Sequence, residues 1–106
     1  MSANFVLTAL VEKINENPEG ISEVEAVYQL DLSGGTYQVR FSRGKAECAE
    51  GTPWESQCTL QISDDNFSKL VEGKLSPTAA FMSGKLKVKG ELGQALKLQS
   101  ILQKYE

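Results

Sequence analysis

Few residues in this sequence are of types that perform chemistry, and histidine is absent from all 106 positions. Its absence removes the usual general base, the usual zinc ligand and the usual partner of a serine or cysteine nucleophile. Asp64 and Asp65 are adjacent carboxylates, but successive helical positions diverge by about 100°, so helix capping explains them better than acid–base catalysis does. The sequence therefore predicts no catalytic residue, no metal site and no cofactor.

Two cysteines are the remaining candidates for chemistry. Cys48 and Cys58 flank a predicted hairpin turn, which leaves a disulfide open. Because no other metal ligand accompanies them, reduced and partly buried thiols are the favoured interpretation. A lipid-modifying enzyme is the weakest functional alternative, since these two thiols and the acidic residues are its only support.

The charge balance limits the classes of partner. The net charge of −3 argues against a nucleic-acid partner, because phosphate neutralisation needs a clustered cationic excess. A local basic cluster nevertheless contains Lys85, Lys87, Lys89 and Lys97. This cluster is either a solvated strand face, which is the favoured interpretation, or a site that meets an anionic membrane surface or the carboxylate of a fatty acid.

The length and the terminal sequences predict a single-domain protein that is located inside the cell. Residues 1–106 are expected to form a single domain, and no apolar stretch approaches the roughly 20 residues that span a bilayer. Residues 1–4 lack the basic start and apolar core of a secretory signal, and residues 104–106 are not the Ser-Lys-Leu peroxisomal address. We therefore expect a cytoplasmic protein, either a monomer or a weak dimer.

Apolar periodicity predicts the elements that must position any site. Asn4 is a predicted cap of a first helix, which ends before Asn17. Alternation of apolar and polar residues then predicts three antiparallel strands in a meander, with Gln38 facing outward, and a fourth strand over 58–62. Trp54 lies in the turn before that fourth strand, where it either caps the edge of the core or touches a membrane or pocket mouth.

The last third of the chain contains the most specific pattern. After a helix capped by Ser63, Ser76 is the predicted cap of a short helix that ends at Gly84 in a left-handed turn. A strand over 85–89 alternates lysines with apolar residues, and a helix over 91–105 follows. These elements predict an α+β fold, in which helices cover one face of a five-stranded, mostly antiparallel sheet.

The segment 73–90 closely resembles the sterol carrier protein type 2 lipid-binding domain. The shared strings are Gly-Lys-Leu at 73–75, Ser-Pro at 76–77, Ala-Phe-Met at 80–82 and Gly-Lys-Leu-Lys-Val-Lys-Gly at 84–90. The resemblance implies a hydrophobic lipid tunnel between sheet and helices, for fatty acids, fatty acyl-CoA, sterols or phospholipids. It also implies non-enzymatic binding and intracellular carriage or presentation of a long-chain lipid.

An apolar layer supplies the residues that such a tunnel needs. Phe81 and Met82 are the strongest candidates, because methionine adapts to irregular ligands. The full set of predicted lipid-binding residues is Phe41, Leu60, Ile62, Phe67, Leu70, Phe81, Met82, Leu86, Val88, Leu92, Leu96 and Leu102. Plain core packing is the alternative for each residue. For the whole chain, the alternative is an accessory or dimerisation module with a vestigial pocket that serves a partner enzyme.

Overall fold

The computed structural model describes residues 3–105 and has the predicted order of elements. Met1, Ser2 and Glu106, on which the predictions about the termini partly rest, lie outside the described residues. The helices are α1 (Ala3–Glu16), α2 (Asp64–Val71), α3 (Pro77–Met82) and α4 (Leu92–Lys104), with a short 3-10 helix at Pro18–Ile21. The strands are β1 (Ala26–Leu32), β2 (Gly35–Ser42), β3 (Lys45–Glu50), β4 (Cys58–Ile62) and β5 (Leu86–Gly90).

The five strands form one mixed sheet in the order β3-β2-β1-β4-β5. β1, β2 and β3 make the predicted antiparallel meander, β4 runs parallel to β1, and β5 is antiparallel to β4. The fold class is thus confirmed as α+β with a mostly antiparallel sheet. β5 lies at one edge of this sheet and joins α3 to α4.

The core lies between the inner sheet face and the helices. Tyr28 and Phe41 are fully buried and meet edge to face with ring centroids 5.9 Å apart. Leu7 and Ile14 of α1 pack into the same cluster, as do Phe67 and other residues of the later helices. Among the described residues, no helix is both long and apolar enough to cross a membrane.

Side-chain caps set two helix starts as predicted. The Ser63 hydroxyl accepts a hydrogen bond from the N–H of Asn66, and the Ser76 hydroxyl accepts one from the N–H of Ala79. Gly84 has a φ of +79°, which gives the left-handed turn expected before β5. Asn4 was wrongly assigned as a cap, because α1 already begins at Ala3.

The outer sheet face bears out one prediction in part and corrects another. Gln38 does face away from the core, but only 1% of it is exposed because the loop 51–57 covers it. Its side-chain amide donates to the carbonyl of Trp54 at 3.0 Å and accepts from the N–H of Trp54 at 2.9 Å. The Trp54 ring lies 4.5 Å from the guanidinium carbon of Arg40. Trp54 therefore covers the outer sheet face rather than the edge of the core.

Candidate functional site

An open apolar groove lies where α3 and α4 cover β4 and β5. Its volume is about 180 Å³. The groove is lined by Leu60, Leu70, Pro77, Thr78, Phe81, Leu86, Val88, Leu92, Ala95, Leu96, Leu98, Gln99 and Leu102. We refer to this surface as the apolar groove.

The side chains at the rim of the apolar groove are unusually exposed for large apolar residues. Phe81 of α3 is 47% exposed, and Leu92 and Leu96 of α4 are 55% and 58% exposed. Residues 92, 96 and 99 follow helical spacing, so one face of α4 borders the groove along its length. Large apolar side chains left in water at a concave site mark a place where an apolar ligand or partner binds.

Among residues 3–105, only two polar side chains line the groove, and both are uncharged. Gln99 of α4 donates a long hydrogen bond of 3.5 Å to the hydroxyl of Thr78 on α3. Within the described part of the chain, no lysine, arginine or carboxylate lines this groove. The site can therefore bind an apolar chain, but offers a polar head only neutral hydrogen-bonding groups.

A small enclosed void lies deeper, between α1 and the sheet. Its volume is about 30 Å³. Leu60, Leu70, Leu86, Leu98 and Leu102 line both this void and the apolar groove. These five leucines thus lie between the two spaces.

The structure brings most of the predicted lipid-binding residues together. The apolar groove is bordered by eight of them, namely Leu60, Leu70, Phe81, Leu86, Val88, Leu92, Leu96 and Leu102. Phe41, Ile62 and Phe67 border only the enclosed void. Met82 lines neither space and is 79% exposed. The continuous tunnel stays a prediction, because a groove and a separate void occupy its expected place.

Sequence reasoning missed five residues of the groove: Pro77, Thr78, Ala95, Leu98 and Gln99. Ala95 and Gln99 were available from helical spacing, since they lie three and seven positions after Leu92. Pro77 and Thr78 carried no such signal, because helix-start chemistry already accounted for them.

Helix α4 is fixed to the rest of the fold at both ends. Near its start, the N–H of Glu91 donates to the carbonyl of Gln57 at 3.3 Å, and the hydroxyl of Tyr28 donates to Gln94 Oε1 at 3.4 Å. Just after its end, the Tyr105 hydroxyl accepts from the N–H of Gly20 at 3.0 Å and donates to the carbonyl of Asn17. Across the groove, α4 is joined to α3 by the long hydrogen bond between Gln99 and Thr78.

The titratable groups near the site are neutral rather than reactive. Burial, with a smaller contribution from the charge of Cys58, raises the pKa of Tyr28 to about 12. Burial also raises the pKa of the free thiols Cys48 and Cys58, so neither is an activated nucleophile. Among residues 3–105, no group of three or more histidine, cysteine or acidic side chains could hold a metal ion.

The chain is similar to curated proteins that are much longer. It is 39% identical over 90 residues to the Xenopus tropicalis hydroxysteroid dehydrogenase-like protein 2, a match that covers 81% of this chain and 22% of the relative. The human sterol carrier protein 2 is 29% identical over 106 residues, which is 93% of this chain and 19% of the relative. The chain therefore spans about a fifth of the length of the curated relatives that it matches.

A solved structure and a family model give the same assignment. The sterol carrier protein domain 2 of Helicoverpa armigera aligns with a TM-score of 0.78 at 25% identity, covering 96% of this chain and 85% of that one. The model of the SCP-2 sterol transfer family matches residues 7–103, nearly the whole described structure. This chain therefore belongs to the SCP-2 sterol transfer family.

Proposed function

We propose that this chain binds the acyl chain of a long-chain lipid in the apolar groove and carries or presents that lipid without a chemical step. The observation that carries this proposal is the exposed apolar rim of Phe81, Leu92 and Leu96 around a groove without charged lining. Membership of a sterol transfer family supports the same ligand class. Fatty acids, fatty acyl-CoA, sterols and phospholipids are the candidate ligands.

The fold is one that accommodates a long acyl chain in another protein. An Aedes aegypti sterol carrier protein of this fold was solved as a complex with palmitate, a C16 fatty acid, and aligns with a TM-score of 0.75 at 16% identity over 100% of this chain and 98% of that one. Burial of each methylene group contributes about 0.8 kcal/mol to binding. Acyl-chain burial alone is thus sufficient to drive binding, and the head group remains at the groove mouth.

The groove must widen before it accepts a long chain. Its volume of about 180 Å³ is below the roughly 300–1,000 Å³ of typical small-molecule pockets. A dry cavity of 400 Å³ would cost about 10 kcal/mol, which rivals the whole stability of a small domain. A partly closed groove in the free protein is therefore favoured, and we propose that ligand opens it by moving α3 away from α4, which is anchored at both ends.

We propose that the protein acts in the cytoplasm. The support is the state of its cysteines, because Cys48 and Cys58 are both free thiols in the fold. Disulfides are rare in the reducing cytosol and frequent in exported proteins of this size. Thiol titration of the protein purified without reductant checks this point, since a disulfide between them would contradict it.

The first experiment is native mass spectrometry of the freshly purified protein, followed by thermal unfolding with palmitate, palmitoyl-CoA and cholesterol. Ligand that binds only the folded state at a hundredfold excess over its Kd stabilises by about 2.7 kcal/mol, which raises the Tm by several degrees. A co-purified lipid or such a shift supports the proposal. A protein mass without ligand, together with an unchanged Tm for all three lipids, contradicts it.

A matched pair of variants localises the ligand. Phe81→Asp places a charge in the groove lining and should abolish lipid uptake, because burial of an unpaired carboxylate against an acyl chain is costly. Met82→Asp makes the same change at the next position, outside the groove, and should leave lipid uptake intact. Normal lipid binding by Phe81→Asp would mean that the groove is not the site.

The second candidate function is an accessory or dimerisation module. It is favoured by the length of the relatives, in which the matching segment is about a fifth of a longer protein. In that case the exposed rim would pack against a partner protein instead of a lipid. Co-purification of a stoichiometric protein partner in the absence of lipid distinguishes this function from lipid carriage.

A further inference from the structure

The charges of this chain are divided sharply along the sequence. Residues 1–73 contain five cationic and twelve acidic side chains, a net charge of −7, whereas residues 74–106 contain six lysines and two glutamates, a net charge of +4. The acidic part includes exposed glutamates on and just after α1, namely Glu12, Glu16, Glu19 and Glu23. The basic part is the segment that forms α3, β5 and α4.

The basic segment also carries most of the exposed large apolar side chains of the described chain. Four of the five are Phe81, Met82, Leu92 and Leu96. Three of these line the apolar groove, but Met82 does not. Its 79% exposure is therefore explained neither by the core nor by the groove.

Lysines lie near these apolar residues along the chain, although Lys85 and Lys89 alternate with the groove residues of β5 and so face the outer side of the sheet. The backbone N–H of Lys85 donates to the carbonyl of Ala80 at 2.9 Å, which holds the Lys85 backbone at the end of α3, three residues after Met82. Lys89 precedes Leu92 by three residues, a separation of at most about 11 Å along the chain. Lys85 and Lys89 are both exposed at the two ends of the edge strand β5.

Two carboxylates must be weighed against this positive surface. Glu91 occupies the N-cap position of α4, between Lys89 and Leu92, without a side-chain capping bond, and Asp31 shares a shallow hollow on the outer sheet face with Lys85 and Lys87. Asp31 already accepts hydrogen bonds from Gln29 and Thr36. The lysines of the segment still outnumber its acids by three to one.

We infer that α3, β5 and the start of α4 form a docking surface for an anionic lipid bilayer, with Met82 inserted among the lipids and Lys85 and Lys89 at the head groups. Lysines attract an anionic surface, while exposed apolar side chains enter the interface between head groups and acyl chains. The acidic part of the chain would be repelled and held away. This orientation sets the β5 edge of the sheet, which borders the apolar groove, against the membrane.

The inference goes beyond the proposed function, because vesicle binding is measurable whether or not the groove holds a ligand. The test is sedimentation of the full chain with vesicles of phosphatidylcholine alone or with about one-third phosphatidylglycerol. Each lysine near an anionic surface contributes about a fivefold change in partitioning, so Lys85→Glu with Lys89→Glu should weaken binding at least about 25-fold. Binding to the anionic vesicles should exceed binding to the neutral ones by a similar factor.

A charge-matched control separates this surface from net charge. Lys13→Glu with Lys45→Glu gives the same net charge through exposed lysines of α1 and β3, and should change vesicle binding by less than threefold. An equal loss in both double variants would overturn the docking surface, as would equal binding to neutral and anionic vesicles. Binding of an acidic protein from solution in place of vesicles would overturn it as well.

Met82 provides the test of insertion. Met82→Trp should show blue-shifted emission with anionic vesicles, while Trp54 of the unmodified chain, which covers the outer sheet face, should not. Met82→Ser should weaken vesicle binding about fivefold and leave palmitate affinity unchanged. Unshifted emission from the introduced tryptophan would overturn the insertion. If palmitate binding fails while vesicle binding behaves as stated, the proposed function is wrong and the docking surface stands.

Discussion

The two ends of the apolar layer beneath the sheet contain the same kinds of side chain but are packed differently. Under β1, β2 and β4, the helices α1, α2 and α4 leave an enclosed void of only about 30 Å³. Under β4 and β5, α3 and α4 leave an open groove of about 180 Å³. The open side is covered in part by the six residues of α3, only about 9 Å long, whereas the 14 residues of α1 span about 21 Å.

The difference separates residues that stabilise the fold from residues that are free to bind a ligand. At ~24 cal/mol per Å³, a void of about 30 Å³ costs less than 1 kcal/mol. An enclosed dry space of about 180 Å³ would cost about 4 kcal/mol. Opening the larger space to solvent avoids part of that cost but leaves apolar side chains in water, which a lipid would then cover.

The largest expected effect is a loss of stability that separates fold-stabilising residues from ligand-binding ones. Phe41 is fully buried beneath α1, so Phe41→Ala should lower the free energy of unfolding by about 3–5 kcal/mol. Phe81 already contacts water, so Phe81→Ala should cost less than about 1 kcal/mol while weakening palmitate binding. Urea unfolding of both variants measures the contrast. Similar losses of stability would mean that the two ends of the layer are packed alike.

A second contrast lies at the joint between β5 and α4. Gly90 has a φ of +98°, and a Cβ there would lie 2.7 Å from the carbonyl oxygen of Gln57. Gly90→Ala should therefore cost at least about 2 kcal/mol, because both backbone strain and a steric clash oppose it.

Gly84 provides the matched control at the other end of β5. Its φ is +79°, but a Cβ there would meet nothing within 4 Å. Gly84→Ala should cost only the strain of about 1–2 kcal/mol. Thermal unfolding compares the two variants, and equal losses would show that the contact of Gly90 with the loop 51–57 does not fix the start of α4.

The sequence allowed most of the fold to be predicted, for local reasons. Ser63, Ser76 and Gly84 define helix ends through contacts within a few residues, and these contacts are present. Alternation predicted the buried strand faces, because side chains of a strand alternate between its two sides. The burial of Gln38 was missed, since it depends on a loop that returns over the outer face from 16 residues further along the chain.

The site was predictable by residue type but not by position within the apolar layer. Phe41, Phe67 and Phe81 look alike in the sequence, yet the first two border the enclosed void and the third borders the groove. Which of them meets water is set by how the helices pack on the sheet, which no local sequence pattern encodes. Met82 matched the chemistry of a groove residue, but its place on α3 leaves it outside.

A smaller effect is expected from pH, through Tyr28 at the boundary between the two ends. Its pKa is about 12 in the fold, mainly because burial disfavours the phenolate, and about 10 when unfolded. The unfolded chain therefore loses this proton first, and the free energy of unfolding should fall as pH rises from about 10 to 12, by about 1–2 kcal/mol.

Tyr28→Phe isolates this contribution. It removes the titrating hydroxyl and the 3.4 Å hydrogen bond to Gln94, but keeps the ring that contacts Phe41. Urea unfolding at several pH values should therefore show a shallower decline above pH 10 for the variant. Cys58 still titrates in both proteins, so a residual slope is expected. Identical slopes would mean that Tyr28 is solvated, and that α4 does not close over it.

The smallest expected effect is an absence of salt dependence in lipid binding. No charged side chain lines the apolar groove within the described chain, so raising the salt concentration from 50 to 500 mM should change the palmitate affinity by less than about twofold. Docking to anionic vesicles through Lys85 and Lys89 should weaken sharply over the same range, because exposed charges are screened. A strong salt dependence of palmitate binding would place the carboxylate against lysines and join into one site two surfaces that the geometry separates.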